Sequence, residues 1–456
     1  MNYPVWDVPL IGSVWIVGAI AIFHVMISHF AVGGGFYLAF AERKARREGR
    51  DDWLEVIRAH SKFFLILTGV FGAVSGVGIW FAIGLASPES TSALIHNFVF
   101  GWAIEWCFFI VEIATAIVYY YTWDRIDPKV HLRLGWLYAG TSWCTLVIIN
   151  GILTFMLTPG QSWLSVAGTG QEASRFWQAF FNPTYWPSLV LRTLICCALA
   201  GVWALVTSSQ IDRFQKPALK TEVIRWSTRW LIPSFLLVPV ALLWYLSAVP
   251  DTSRKLMQLG ISTIGSGMFT QVTRAALVTT MASASILAVV YFLAYRNPLD
   301  FGLGHACAVL FLALAATGAT EHAREMIRKP YTVAQYIFSN GVRRADVARL
   351  NVAGYTTASP WNHGQMDSGE QMFRGQCMNC HTVDGYRSMR RLLHGRDRRA
   401  ITNVVAMLHE VPATSPYRNF MPPIVGTPEE INALIGYLDR LENPSANAVT
   451  VAAGTR

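Results

Sequence analysis

The sequence predicts an all-α protein: a polytopic bundle of about eight membrane helices followed by a small helical domain. Three observations carry this. Of the 456 residues, 53% are hydrophobic and only 14% charged, against about 25% charged in a soluble domain. About eight apolar runs reach the ~20 residues that a helix needs to cross ~30 Å of hydrocarbon; they cover roughly 10–40, 62–86, 97–122, 133–158, 186–209, 228–249, 275–295 and 301–321. Beyond about residue 322 such runs stop, and Pro, Gly and polar residues punctuate the chain. With 17 Trp and 13% aromatics, intrinsic disorder is excluded.

The first run lacks a basic leading segment and a small-residue cleavage site, so it reads as a retained span and not as a signal peptide. Basic residues cluster in the first connection (Arg43 to Lys62), the third (Arg125, Lys129, Arg133) and the fifth (Arg213 to Arg225). The second, Ser87 to Asn97, has no Lys or Arg. The positive-inside rule then puts both chain ends outside, with Arg254 and Lys255 in the sixth connection a mild dissent. The net charge of +9 thus reports orientation in a bacterial inner membrane and points to no nucleic acid.

Three regions are expected: a membrane domain over 1–331, an extended linker with some helix over 332–365, and a small helical domain over 366–456. The last helix announces itself by Thr427 as N-cap, Pro428 at the first helical position, Glu429 and Glu430 on the helix dipole, and an apolar stripe at Ile431, Leu434, Ile435 and Leu438.

One motif is sharp. Cys377-Met378-Asn379-Cys380-His381 is C-x-x-C-H, the attachment signature of a covalent c-type haem. Two thiols become thioethers to the haem vinyls and the adjoining His supplies the proximal ligand. A chance pairing of Cys and His is the bland alternative. A zinc knuckle needs two further ligands, and no other Cys lies in this domain. Met421, in the loop Asn419-Phe420-Met421-Pro422-Pro423, is the expected sixth ligand. Met407 is its competitor, with core packing as its expected role. Gly369 and Phe373 fit the first helix of a class I cytochrome c domain, whose haem is attached outside the cytoplasm. Cys107, Cys144, Cys196, Cys197 and Cys307 read as small hydrophobes in apolar spans.

Ionisable groups inside hydrocarbon are costly, so each needs a partner or a task. His24 and His29 lie in the first span, Glu105 and Glu112 two turns apart in the third, and Glu321, His322 and Glu325 at the end of the eighth. Arg192 and Arg274 sit near the outer ends of the fifth and seventh. Any one of them is equally well a paired structural residue; together they suit b-type haems and proton delivery.

The ordered series His24, Gly33 and Glu42; Ala103-Ile104-Glu105 and Glu112; Trp123-Asp124-Arg125; Asn150-Gly151 with Thr158-Pro159; and Arg328-Lys329-Pro330-Tyr331 resembles subunit I of the cytochrome bd oxidases over about residues 10–331. The resemblance implies that His24 ligates a high-spin haem, that Glu105 and Glu112 pass protons beside the high-spin pair, and that Asp124 lies near the cytoplasmic uptake point. It also implies a Glu ligand to the second high-spin haem at the end of the eighth span. Glu321 is the candidate, one turn from where the Arg-Lys-Pro anchor points, with His322 and Glu325 as alternatives. The expected cofactors are therefore haem c and, in the membrane, b-type haem with d-type as a further option. A second integral-membrane subunit and a soluble or membrane-bound donor cytochrome are the expected partners.

The departures matter as much. Where the family's low-spin haem takes a His and a Met, this chain offers Leu191 or Arg192, and Ala276. The family's long quinol-binding loop has no counterpart in residues 250–275. Three readings follow: a bd-like oxidase subunit I fed through its own haem c, a non-oxidase b/c-haem conduit between quinol and a periplasmic partner, and a haem-based sensor or assembly subunit. The stretch Arg387, Arg390, Arg391, Arg396, Arg398, Arg399 reads as a solvated helix face or as a dock for an acidic partner.

Overall fold

The computed structural model describes residues 6–251, 253–254, 268–358 and 367–443. Among the described residues eight helices are long and apolar enough to cross a membrane: α1 (Ser13–Glu48), α2 (Asp51–Ala86), α3 (Pro88–Tyr121), α4 (Pro128–Phe155), α5 (Tyr185–Ser209), α6 (Pro217–Ala248), α7 (Gln271–Tyr295) and α8 (Leu303–Arg328). The expected polytopic all-α bundle is therefore the observed fold. Most of these helices run further than their apolar cores. The basic stretch after the first span is helix rather than loop, because α1 ends only at Gly49, a left-handed C-cap. There Lys44 pairs with Glu48 (2.5 Å) and Glu222 (2.6 Å), and Arg50 pairs with Glu222 (2.7 Å), so the charged turns satisfy one another.

Starts are chemically marked. Pro88, Pro128 and Pro217 open α3, α4 and α6, where a missing N–H costs nothing, and Asp127 caps α4 through the amides of Lys129 and Val130. Two stretches are π-wound, Leu67–Gly72 in α2 and Val290–Tyr295 in α7; such bulges often mark functional positions. Helix α1 is central and touches α2, α4, α5 and α8. The bundle shows lipid a rim of large apolar side chains, among them Phe81, Phe100, Leu243 and Phe311. Asn150 donates to the Tyr185 carbonyl (3.0 Å) and accepts from Ser188 (2.7 Å), and Thr158 meets Thr184 (2.6 Å). These bonds pin the end of α4 to the start of α5.

The stretch 332–365, expected to be extended with some helix, is described as far as residue 358; it begins within two short antiparallel strands, β1 (Tyr331–Val333) and β2 (Ile337–Phe338). Helix α9 (Val347–Ala353) follows. Val333 and Ile337 pack into the membrane bundle's core, while Phe338, Val342, Leu350 and Tyr355 join the core of the C-terminal unit. Both strands are thus held from two sides.

The C-terminal unit contains α10 (Ser368–Gln376), α11 (Met389–Leu393), α12 (Arg398–His409) and α13 (Pro428–Glu442). Helices α10 and α13 cross closely enough that a Cβ on Gly369 would fall 2.2 Å from the Ala433 carbonyl oxygen, so only Gly fits there. Phe373 and Tyr437 pack at 5.4 Å beside the crossing. The capping box of Thr427 and Glu430 forms as the sequence predicts. Met407 does not pack in this core: it is 40% exposed, whereas Met372 on α10 is fully buried there.

Candidate functional site

The C-x-x-C-H segment follows α10 directly. Cys377 caps that helix, and burial pushes its thiol up to about 12, with the Cys380 thiol adding to the shift. His381 Nδ1–H donates to the Arg387 carbonyl at 2.9 Å. That fixes the tautomer and leaves the lone pair on Nε2, the arrangement a metal-ligating His takes from its supporting partner. Burial lowers the His381 pKa further than the Arg387 hydrogen bond raises it, and the neutral ring is what an iron ligand requires. The Met421 loop is tied to the same place. Gln376 donates to the Val425 carbonyl (2.7 Å) and accepts from the Val425 amide (2.8 Å), and the Ile424 carbonyl accepts from His409 (2.9 Å). Met421 therefore stands in a loop fastened to the helix end that leads into Cys377. The donor set fits a c-type haem.

In the bundle, His24 is half-buried on α1 facing α2. Ser75 Oγ donates to the Phe71 carbonyl (2.5 Å), so at 3.0 Å from His24 Nδ1 it accepts, and the His24 lone pair is again on Nε2. Ser75 follows the π-wound turn by three residues. His29, one turn further, is buried and donates from Nδ1 to the Val25 carbonyl at 2.6 Å. Glu112 is buried and accepts from Ser142 at 2.8 Å, while Glu105, two turns away on α3, is half-buried. Asp124 lies at the basic end of the bundle, exposed, and pairs with Arg58 at 3.0 Å. Among the described residues no three His, Cys, Asp or Glu side chains converge on a metal position by themselves; a porphyrin supplies its own four nitrogens and needs only axial ligands.

The end of α8 is crowded with charge. Glu321 accepts from Arg324 (2.9 Å), and Glu325 accepts from Arg328 (2.5 Å) with Arg324 at 3.8 Å. His322 is half-buried between them. Arg192 reaches the same cleft as Tyr245, Arg324 and Arg328. It lies 3.4 Å from Ser188 Oγ, so the position where the resemblance would put a low-spin ligand holds a guanidinium instead. Leu191 is half-buried beside it; Arg274 and Ala276 on α7 are exposed.

The partners of several buried polar groups are not apparent from the sequence. Glu42, fully buried, accepts from Tyr119 (2.8 Å) and Arg46 (2.6 Å) and lies 2.7 Å from His131 Nδ1. His131 Nε2–H donates to the Tyr119 carbonyl at 2.9 Å, and Trp123 packs on its ring at 4.3 Å. Their common signal is a helical stripe: Glu105, Glu112 and Tyr119 recur every seven residues on α3, as His131 and Tyr138 do on α4. His60, buried and bonded through Nδ1 to Thr207 (2.9 Å), gave no such signal.

The two sites meet. The loop after His381 lies against the start of α1 and the end of α8: the Tyr386 amide donates to the Leu10 carbonyl (2.6 Å), Lys329 Nζ is 3.9 Å from Cys380 Sγ, and Arg387 reaches Met326 Sδ at 3.5 Å.

None of the curated proteins compared with this chain matches it. Among solved structures it resembles the bd oxidase from Geobacillus thermodenitrificans, with a TM-score of 0.57 and 15% identity over 71% of this chain and 89% of that one. At that identity the likeness speaks for the fold. Residues 13–249, just over half of the chain, match the family described as cytochrome bd terminal oxidase subunit I. This multi-pass membrane protein belongs to that family.

Proposed function

We propose that the chain is a bd-like oxidase subunit I that takes its electrons through a haem c on its own C-terminal unit and not from quinol. The observation that carries this is the seating of the C-x-x-C-H loop on α1 and α8, the helices that bear His24 and Glu321. Cys377 and Cys380 would hold the haem c, with His381 and Met421 as axial ligands; His24 would hold a high-spin b- or d-type haem. Bound there, these groups would supply the one-electron redox chemistry that oxygen reduction needs. For the second membrane haem Glu321 stays the candidate, with His322 and Glu325 beside it. Glu112 and Glu105 hold and pass protons along α3, and Asp124 gathers them at the basic, inward end. In this reading residues 1–331 form the membrane domain, 332–365 the join and 366–456 the haem c unit on the outer side. A second membrane subunit and a donor cytochrome complete the assembly, the latter meeting the exposed Arg391 and Arg399.

One observation favours the alternative of a non-oxidase b/c-haem conduit. Both carboxylates at the end of α8 are engaged by arginines, which leaves a second high-spin haem without an uncommitted carboxylate. The test begins with haem staining of a denatured gel and pyridine-haemochrome typing of the purified protein. Staining should vanish when Cys377→Ala and Cys380→Ala are combined; a stained band in that variant overturns the assignment. Rapid quinol oxidation by a preparation lacking haem c would promote the conduit.

A further inference from the structure

One residue touches both halves of this proposed path. The Arg387 carbonyl holds His381 Nδ1–H at 2.9 Å, and its guanidinium lies 3.5 Å from the sulfur of Met326, a buried residue of α8 adjacent to Glu325. Its backbone takes φ +49°, which a side-chain-bearing residue adopts only when its surroundings enforce it. Here they do. The Tyr386 amide is held by Leu10. Thr382 Oγ1 donates to the Tyr386 carbonyl (2.9 Å) and accepts from the Gly385 amide (2.8 Å). Gly385 lies so close to α1's leading turn that a Cβ would fall 1.8 Å from the Leu10 carbonyl oxygen. The guanidinium also packs over the Tyr386 ring at 5.3 Å.

We propose that Arg387 is the positioning residue that couples the haem c unit to the membrane domain: its backbone fixes the proximal His381 while its side chain fixes the distance to α8 at Met326. The proposal rests on the haem c reading above. Electron tunnelling weakens steeply with every added gap, so a contact that joins the axial ligand's own support to the acceptor-bearing helix sets the rate of transfer between the units. The carbonyl that orients His381 belongs to the main chain. Truncating the side chain therefore leaves the ligand's hydrogen bond in place and removes only the link to α8.

The experiment uses the full chain in detergent as wild type, Arg387→Ala, Arg387→Lys, Met326→Ala and the Arg387→Ala/Met326→Ala double variant. Four quantities are read: covalent haem staining, haem c potential, the rate at which rapidly reduced haem c passes its electron inward, and hydrogen exchange of residues 382–387. Arg387→Ala should stain as wild type and keep its potential, yet transfer severalfold more slowly, with faster exchange across the seam. Arg387→Lys should recover part of the rate. Met326→Ala, which leaves the C-terminal unit untouched, should give a similar slowing, and the double variant should be no slower than either single one. An unchanged transfer rate in Arg387→Ala or Met326→Ala at wild-type haem content overturns the proposal. So does a shift in haem c potential that by itself accounts for the slowing, or additive effects in the double variant. A wild-type protein with no covalent haem sinks instead the reading beneath it, while the exchange data still report whether the seam is docked.

Discussion

The bundle and the C-terminal unit use the same residue types with opposite meaning. In the bundle, Phe81, Phe100 and Phe311 face outward while Glu42, Asn150 and Ser142 are fully buried. In the C-terminal unit, Phe373, Val425 and Leu434 are fully buried and Arg391, Arg398 and Arg399 face outward. Lipid accepts apolar surface at no cost and gives polar groups nothing to bond, so polar residues retreat inward and must find one another. Water reverses both preferences. A charge therefore carries information throughout the first region, where it must be partnered, and in the second only where it is buried, since on that surface water can solvate it.

The comparison is best tested where the two regions do similar things with different chemistry. Both histidines proposed as haem ligands present Nε2 with Nδ1 engaged, His24 by a hydroxyl and His381 by a carbonyl. His24→Ala should remove one non-covalent haem completely and leave the covalent haem intact, as read from haemochrome ratios. An unchanged ratio would move the ligation elsewhere or leave His24 as a packing residue.

Next in size is Glu42→Ala. It strips the carboxylate from Arg46, Tyr119 and His131 in a fully buried site, where breaking an ion pair costs about 3–5 kcal/mol. Thermal unfolding in detergent should show a lower midpoint; wild-type behaviour would mean that water reaches this end of the bundle.

Glu430 is the matching buried carboxylate of the C-terminal unit. Burial raises its pKa, but bonds from Thr356 and from the amides of Tyr355, Thr356 and Thr427 outweigh that and hold it below the ordinary value. A carboxyl depressed in the folded state adds stability above its unfolded pKa of ~4.3 and loses it as pH falls through the lower folded value. Glu430→Gln should then cost about 1–3 kcal/mol near neutral pH, and the difference should shrink in acid. A constant difference from neutral to acid pH would show that the carboxylate's charge contributes nothing. Smallest of all, Arg349→Ala breaks an exposed pair with Asp346 (3.1 Å) and should change stability by ~0–1 kcal/mol. A larger loss would mean that this surface is covered.

The same asymmetry explains what the sequence made legible. All eight spans were readable, because ~20 apolar residues in a row leave few alternatives. So were the C-x-x-C-H segment and the Thr427 cap, whose chemistry is local. The Glu42, Tyr119 and His131 network was not, since its members come from three helices and meet only after packing. Nor did the sequence show that Glu321 and Glu325 are each claimed by an arginine one turn away, although the i, i+3 spacing was in view. Met407 stands outward because the buried positions of α12 are Ile401 and Val405, whereas Met372 lies on the buried face of α10.

The seam also bears on how such a chain comes to be assembled. Asp7 and Arg374, 367 residues apart, face each other at 3.4 Å across it, so a segment made later must find one made much earlier. Closing a loop that long adds little entropy cost beyond a moderate one, but it has to wait for everything in between. The loop after His381 touches both the stretch that leads into the first helix and the end of the eighth. The seam is therefore built from contacts between residues far apart in the chain, and it forms only once both stretches are in place.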